Sequence, residues 1–237
     1  MYFNDKKILL TGGAGFLGSC VKEELIKKGA QEENIIIPRS REYDLRDRHV
    51  CDQLTQDADL VIHCAAKVGG IGFNKDHPGE AFYDNAMMAL NLIEASRMAG
   101  VEKFVGIGSV CSYPKFAKVP FREEALWHGY PEETNGPYGL AKKMMFVASQ
   151  AYSQQYELNA IHLLMINLYG PGDNFNDFNS HVIPAIIKKI DEAKKTDPKY
   201  IEAWGTGKAT REFLYVQDAA EAIVLAAEKY NKSDPVN

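Results

Sequence analysis

Tyr138 and Lys142 stand four residues apart in Asn135-Gly136-Pro137-Tyr138-Gly139-Leu140-Ala141-Lys142. Proline suits the first position of a helix. The phenol and the amine then share one helix face, a turn apart. A phenol at a helix N-terminus beside an ammonium has its ionised form stabilised by both. That draws a proton donor with a reference pKa of about 10 towards working pH. Upstream, Ser109 ends an apolar run that reads as a strand, and ligands of open α/β sheets collect at such strand ends. Taken alone, the pair is also compatible with a packed tyrosine and a solvated lysine.

The context that favours chemistry is Thr11-Gly12-Gly13-Ala14-Gly15-Phe16-Leu17-Gly18, between the first predicted strand and the first predicted helix. Such a turn offers backbone N–H groups and a positive helix end to a pyrophosphate. Gly12 permits the tight turn, Gly15 lets backbone approach the phosphates, and Gly18 lets the helix pack close to the sheet. The second strand ends in Arg39-Ser40-Arg41-Glu42. An acid there would bind a ribose 2′-hydroxyl, whereas arginine suits a 2′-phosphate. Two arginines and a serine favour NADP(H), with NAD(H) as the alternative because Glu42 is free to pair an arginine or bind the ribose.

The elements that must position these groups are legible as alternation. Lys7–Leu10, Asn34–Ile37, Leu60–Cys64, Phe104–Ile107 and Ala160–Asn167 read as strands, and Phe16–Lys28, Pro78–Met98 and Pro137–Tyr152 as helices. Near-continuous apolar strands joined by helices predict an α/β fold, a doubly wound parallel Rossmann sheet with helices on both faces. After Tyr169-Gly170-Pro171-Gly172 the character changes. A loop over Asn174–Ser180, a helix over His181–Lys195, a short strand near Ile201–Trp204 and a strand-to-helix unit over Glu212–Tyr230 are expected. The predicted division is 1–169 for dinucleotide binding and 170–237 for substrate, with 212–230 returning to the first domain.

Composition sets the outer bounds. The 237 residues are 46% hydrophobic and 25% charged, with a net charge of −5, an ordinary globular balance. A mildly acidic chain without a basic run is poorly suited to nucleic acid or an anionic membrane. No apolar run approaches the roughly 18 residues of a membrane span, and the N-terminus has no signal-peptide pattern. Cys20, Cys51, Cys64 and Cys111 form no C-x-x-C pair and no zinc spacing. No metal is expected, and a reducing cytoplasm is the default compartment.

The chain resembles the extended short-chain dehydrogenases/reductases, the NAD-dependent epimerase/dehydratase superfamily. The resemblance rests on Thr11-Gly12-x-x-Gly15-x-x-Gly18, Asp44-Leu45, His63-Cys64-Ala65-Ala66 and Tyr138-x-x-x-Lys142. Within it the chain is most similar to the GDP-L-fucose synthases, through Lys67-Val68-Gly69-Gly70-Ile71, Gly108-Ser109-Val110-Cys111-Ser112-Tyr113-Pro114, Asn167-Leu168-Tyr169-Gly170-Pro171-Gly172-Asp173, Ser180-His181-Val182-Ile183-Pro184-Ala185 and Arg211-Glu212-Phe213-Leu214.

The resemblance implies 3,5-epimerisation and 4-keto reduction of GDP-4-keto-6-deoxy-D-mannose with NADPH. Tyr138 would protonate the 4-keto oxygen, Lys142 would lower the Tyr138 pKa and hold the nicotinamide ribose, and Ser109 would bond the same oxygen. Cys111 and His181 would be the base and acid that invert C3 and C5, since the ketone acidifies both C–H bonds. For the thiol this requires depression from about 8.5. Asp44, Leu45, Ala65, Ala66, Met165, Ile166, Asn167, Leu168 and His181 would line the coenzyme. Lys189, Trp204 and Arg211 would hold the nucleotide-sugar. A homodimer through Pro78–Met98 and Pro137–Tyr152 is implied, as is a small, incomplete C-terminal substrate domain. Related enzymes reduce other GDP-4-keto sugars. A reductase alone, an NAD-dependent nucleotide-sugar epimerase and a non-catalytic dinucleotide-binding chain are the competing readings.

Overall fold

The computed structural model describes residues 1–176, 180–195, 200–202, 206–208 and 210–237. Its centre is a five-stranded parallel sheet of β1 (Ile8–Thr11), β2 (Ile35–Ile36), β3 (Leu60–His63), β4 (Lys103–Ser109) and β5 (Asn159–Met165), in the order β2-β1-β3-β4-β5. The order reverses between β1 and β3. In open α/β sheets that point, at the carboxyl ends of the strands, is where a crevice forms.

Alternating strand residues enter two different cores. Ile8, Leu10, Leu60, Ile62, Val105, Ile107 and Ile161 pack under α1 (Phe16–Lys27) and α7 (Val216–Lys229). Leu9, Val61, Phe104 and Ala160 face the other way, under α2 (Arg48–Thr55), α4 (Pro78–Ala99) and α5 (Gly136–Tyr156). Both faces of the sheet are covered, which is why the strands read as unbroken apolar runs.

At the amino end of the sheet Lys103 is buried, and its ammonium donates to the Ala226 carbonyl (3.2 Å), the Tyr230 carbonyl (2.5 Å) and Asn231 Oδ1 (2.9 Å). It closes the C-terminus of α7, where free carbonyls favour a cation. α7 thus shares a core with α1 and β1 although nearly the whole chain separates them.

Three departures from the sequence reading concern the site. The strand predicted over Ala160–Asn167 breaks at Ile166: β5 ends at Met165, and β6 (Asn167–Tyr169) pairs instead with β7 (Phe213–Tyr215) in a separate two-stranded parallel sheet. Two helices went unread, α2 and the one-turn-and-a-half α3 (Ile71–Asp76). The helix α6 (Val182–Ala193) is present. Ile201 and Glu202 are not in a strand, and the rest of that predicted strand, including Trp204, lies outside the described residues. No described helix is long and apolar enough to cross a membrane.

Val236 lies alongside β5: its N–H donates to the His162 carbonyl (3.1 Å), and its carbonyl accepts from the Leu164 N–H (2.7 Å).

Candidate active site

The glycine turn lies where β1 and β3 diverge. Gly12 has φ +72°, and a Cβ on it would stand 2.7 Å from the Ala65 nitrogen. The loop therefore runs against Cys64–Ala65 with no room for a side chain. A Cβ on Gly18 would come within 2.1 Å of the Gly12 carbonyl oxygen, so α1 begins tight against the turn. Gly15 is different, since a Cβ there would meet only the Gly12 oxygen, at 3.2 Å. α1 starts with no side-chain cap and no acid in its first turn. The first N–H groups of such a helix lack intrahelical partners, and the helix dipole favours an anion beside them.

Thr11 ties the seam together. Its Oγ1 lies 2.8 Å from His63 Nδ1 and accepts from the Ala65 N–H at 3.4 Å. Burial lowers the His63 pKa to about 3, with the Lys142 charge adding to it, so the ring is neutral.

Ile37 packs against Gly13, which brings the end of β2 beside the glycine turn. There the N–H groups of Glu42 and Tyr43 both donate to the Arg39 carbonyl (2.9 Å each) and fold Arg39, Ser40 and Arg41 into an exposed turn. Among the described residues Glu42 pairs with neither arginine. Arg46 is engaged by Asp44 and Asp84, and Arg48 by Asp52. Asp44 is exposed and taken by Arg46, whereas the Leu45 side chain is buried in the core. Two open arginines beside an uncapped, glycine-lined helix start suit a phosphate-bearing dinucleotide.

At the end of β4, Ser109 accepts from the Cys111 N–H (3.1 Å) and caps the short 3-10 turn Val110–Ser112. The head of α5 lies directly on this turn. A Cβ on Gly139 would fall 2.1 Å from the Cys111 carbonyl oxygen, and the Ser112 hydroxyl donates to the Gly139 carbonyl (3.0 Å). A glycine in the second turn of a helix costs about 1 kcal/mol against alanine. Here it is required by contact, and that cost in Tyr-Gly-x-x-Lys was the unread signal. Ser109, Cys111 and Tyr138 are thereby gathered. Gly139→Ala is expected to lower the melting temperature, because overpacking of about 1–3 kcal/mol outweighs the helical gain. It is also expected to cut turnover at least tenfold. A thermal melt and a rate assay check both.

The electrostatics correct two expectations. Burial raises the Tyr138 phenol above its ordinary range, the Cys111 charge adds to this, and a hydrogen bond with Ser109 opposes it. Lys142 does not draw the phenol down. Its ammonium is buried, donates to the Ile107 carbonyl at 2.8 Å and stands 5.9 Å from the Tyr138 ring centre. Burial lowers the Lys142 pKa itself to about 8. Likewise burial pushes the Cys111 thiol up rather than down, with Glu132 adding and Ser109 opposing.

The remaining predicted residues are dispersed around this centre. Ala65, Ala66, Met165, Ile166 and Leu168 are half-buried at the carboxyl edge of the sheet, and Asn167 is exposed on β6. His181 is exposed at the head of α6 and is not among the groups acting on Cys111. Lys189 donates to the Glu202 carbonyl (2.8 Å), and Arg211, exposed, to the Thr210 carbonyl (2.8 Å). No cluster of metal-ligating side chains occurs among the described residues.

Residues 8–237 match the profile of the NAD dependent epimerase/dehydratase family. The chain belongs to that family. A GDP-L-fucose synthase of Sinorhizobium fredii is 39% identical over 240 residues, covering 100% of this chain and 76% of the relative. Two solved structures of similar shape are a GDP-D-glycero-L-gluco-heptose synthase from Campylobacter jejuni in the presence of NADPH (TM-score 0.89, 27% identity, 99% of this chain and 80% of that one) and a GDP-L-fucose synthetase from Naegleria fowleri bound to NADP (TM-score 0.87, 30% identity, 99% and 77%). The epimerase/dehydratase fold is thus shared over essentially all of the chain.

Proposed function

We propose that the protein is an NADP(H)-dependent epimerase/reductase that converts GDP-4-keto-6-deoxy-D-mannose to GDP-L-fucose. The observation that carries this reading is the convergence of Ser109, Cys111 and Tyr138 where β4 meets α5, at the same carboxyl edge of the sheet as the glycine turn. The similarity to proteins named for that synthesis and to an NADP-bound one supports it.

Gly12–Gly18 would hold the pyrophosphate, Arg39, Ser40 and Arg41 the 2′-phosphate, and Ala65, Ala66 and 165–168 the far end of the coenzyme. When bound, NADPH supplies the hydride taken up at C4. The chain's own part is proton management. Tyr138, kept protonated by burial, donates to the oxygen at C4, and the Ser109 hydroxyl bonds the same oxygen. Lys142, anchored on Ile107, holds the ribose next to Tyr138. Before reduction, Cys111 and His181 move protons at C3 and C5, and Ser109 and Tyr138 stabilise the intervening enolate. Residues 170–237, with Lys189, Trp204 and Arg211, contribute the substrate side. The helices α4 and α5 pack along each other and leave Phe82, Tyr83 and Val147 exposed; that face suits a homodimer in the cytoplasm.

The test is incubation of the purified chain with GDP-4-keto-6-deoxymannose and NADPH in deuterium oxide. Loss of NADPH absorbance with deuterium at C3 and C5 of the product is expected. Reduction without deuterium would make it a simple 4-ketoreductase, and neither signal would leave only a dinucleotide-binding protein.

A further inference from the structure

His162 belongs to none of the motifs above, yet both ends of the Lys142 anchor rest on it. Gly106 and Gly108 flank Ile107 in β4, and the Ile107 carbonyl is the acceptor of the Lys142 ammonium (2.8 Å). Without side chains of their own, the two glycines leave a hollow in the sheet. His162 of β5, in register with Gly106, fills it. A Cβ on Gly108 would come within 2.4 Å of His162 Nε2, and one on Gly106 would stand 3.4 Å from its Nδ1. The same ring meets Phe146 of α5, with the ring centres 5.3 Å apart. Phe146 follows Lys142 by one turn, on the same face of the helix. The buried imidazole thus touches both the helix that carries Lys142 and the strand whose carbonyl receives it.

We propose that His162 is a positioning residue for Lys142: a spacer that sets the separation of α5 from β4, and with it how far the ammonium reaches beyond Ile107 towards the nicotinamide ribose. The last link rests on the coenzyme reading proposed above. Close-packed interiors transmit a change in volume to their neighbours, and here the neighbours are the two supports of one side chain. Nδ1 has no hydrogen-bond partner among the described residues, so the ring acts through its shape. Burial keeps it neutral, so it brings no second positive charge to Lys142.

The experiment needs no sugar substrate. Calorimetry measures the binding of NADPH and of adenosine 2′,5′-bisphosphate, which keeps the adenine-ribose end with its 2′-phosphate and lacks the nicotinamide ribose. His162→Ala empties the hollow. It is expected to weaken NADPH about tenfold, a modest share of what a small misplacement can cost, and to leave the bisphosphate unchanged. His162→Leu refills the hollow and should recover most of the loss. If His162→Ala does not fold, Gly108→Ala decides alone: its Cβ displaces the ring, and the same split between the two ligands is expected. An NADPH affinity unchanged in whichever variant folds, or an equal loss of both ligands, overturns the proposal. A parent chain that binds neither ligand would overturn the coenzyme reading itself, and this inference with it.

Discussion

Tyr138→Phe is expected to slow NADPH oxidation about a thousandfold, within the range a single general acid contributes and equal to about 4 kcal/mol of barrier. KM should move little, since the ring remains. The expectation follows from what burial does to this phenol. A pKa above the ordinary range keeps the proton on Tyr138 across the working range. The oxygen that develops at C4 on reduction is an alkoxide, more basic than any phenolate, so transfer stays downhill. The phenol does not need to be acidic. It needs to be protonated, placed by Gly139 and supported by Ser109. Exchange of solvent deuterium into C3 and C5 is expected to survive the substitution in part, because Cys111 and His181 are untouched. A variant within tenfold of the parent in stopped-flow NADPH oxidation would remove Tyr138 from the reaction.

A second large effect is expected in acid. His63 and His162 are both buried, and burial, assisted by the Lys142 charge, lowers each to about 3. An unfolded histidine takes up its proton near 6.5. Between those values the unfolded chain binds more protons, so stability falls as pH drops below about 6.5 and keeps falling towards 3. At pH 5 each ring removes about 2 kcal/mol, at about 1.4 kcal/mol per unit. The window lies above the one in which lowered carboxylates such as Asp44 and Glu94 titrate. His162 offers the cleaner variant. Its ring fills the space left by Gly106 and Gly108 on β4, has its centre 5.3 Å from that of the Phe146 ring, and has an Nδ1 without a partner among the described residues. His162→Leu should therefore be at least neutral at pH 8 and should shed about half of the loss at pH 5, read from urea midpoints. An identical pH slope in parent and variant would show that the ring is not the origin.

Much of the scaffold was legible because periodicity and punctuation agreed. The glycine turn, the apolar β1, β3 and β4, and a helix beginning around Pro137 all carry local signals that tertiary packing reinforces. Where the reading failed, the signal was not local. α2 is eight residues long and held by Asp47, whose side chain caps it by accepting from the His49 N–H, and its apolar face is too short to register as a period. β5 runs on into β6 in apolar character, yet the two belong to different sheets, a choice made by pairing partners 46 residues or more away. The chemistry divided in the same way. Residue types and spacing pointed to Tyr138, Lys142 and Ser109, but the proton affinities went the other way. Spacing reveals neighbours along a helix and says nothing of how deeply they are buried. His162 was invisible for that reason.

The grip of Lys103 on the last turn of α7 bears on how the protein is made. β1 and α1 emerge from the ribosome before the other elements of the sheet, but one flank of their apolar surface is covered by α7, some 190 residues later. At common synthesis rates that interval is roughly 10–40 s. During it the nascent chain carries an unshielded greasy face, which makes the half-translated polypeptide, rather than the finished fold, the species most in need of a chaperone.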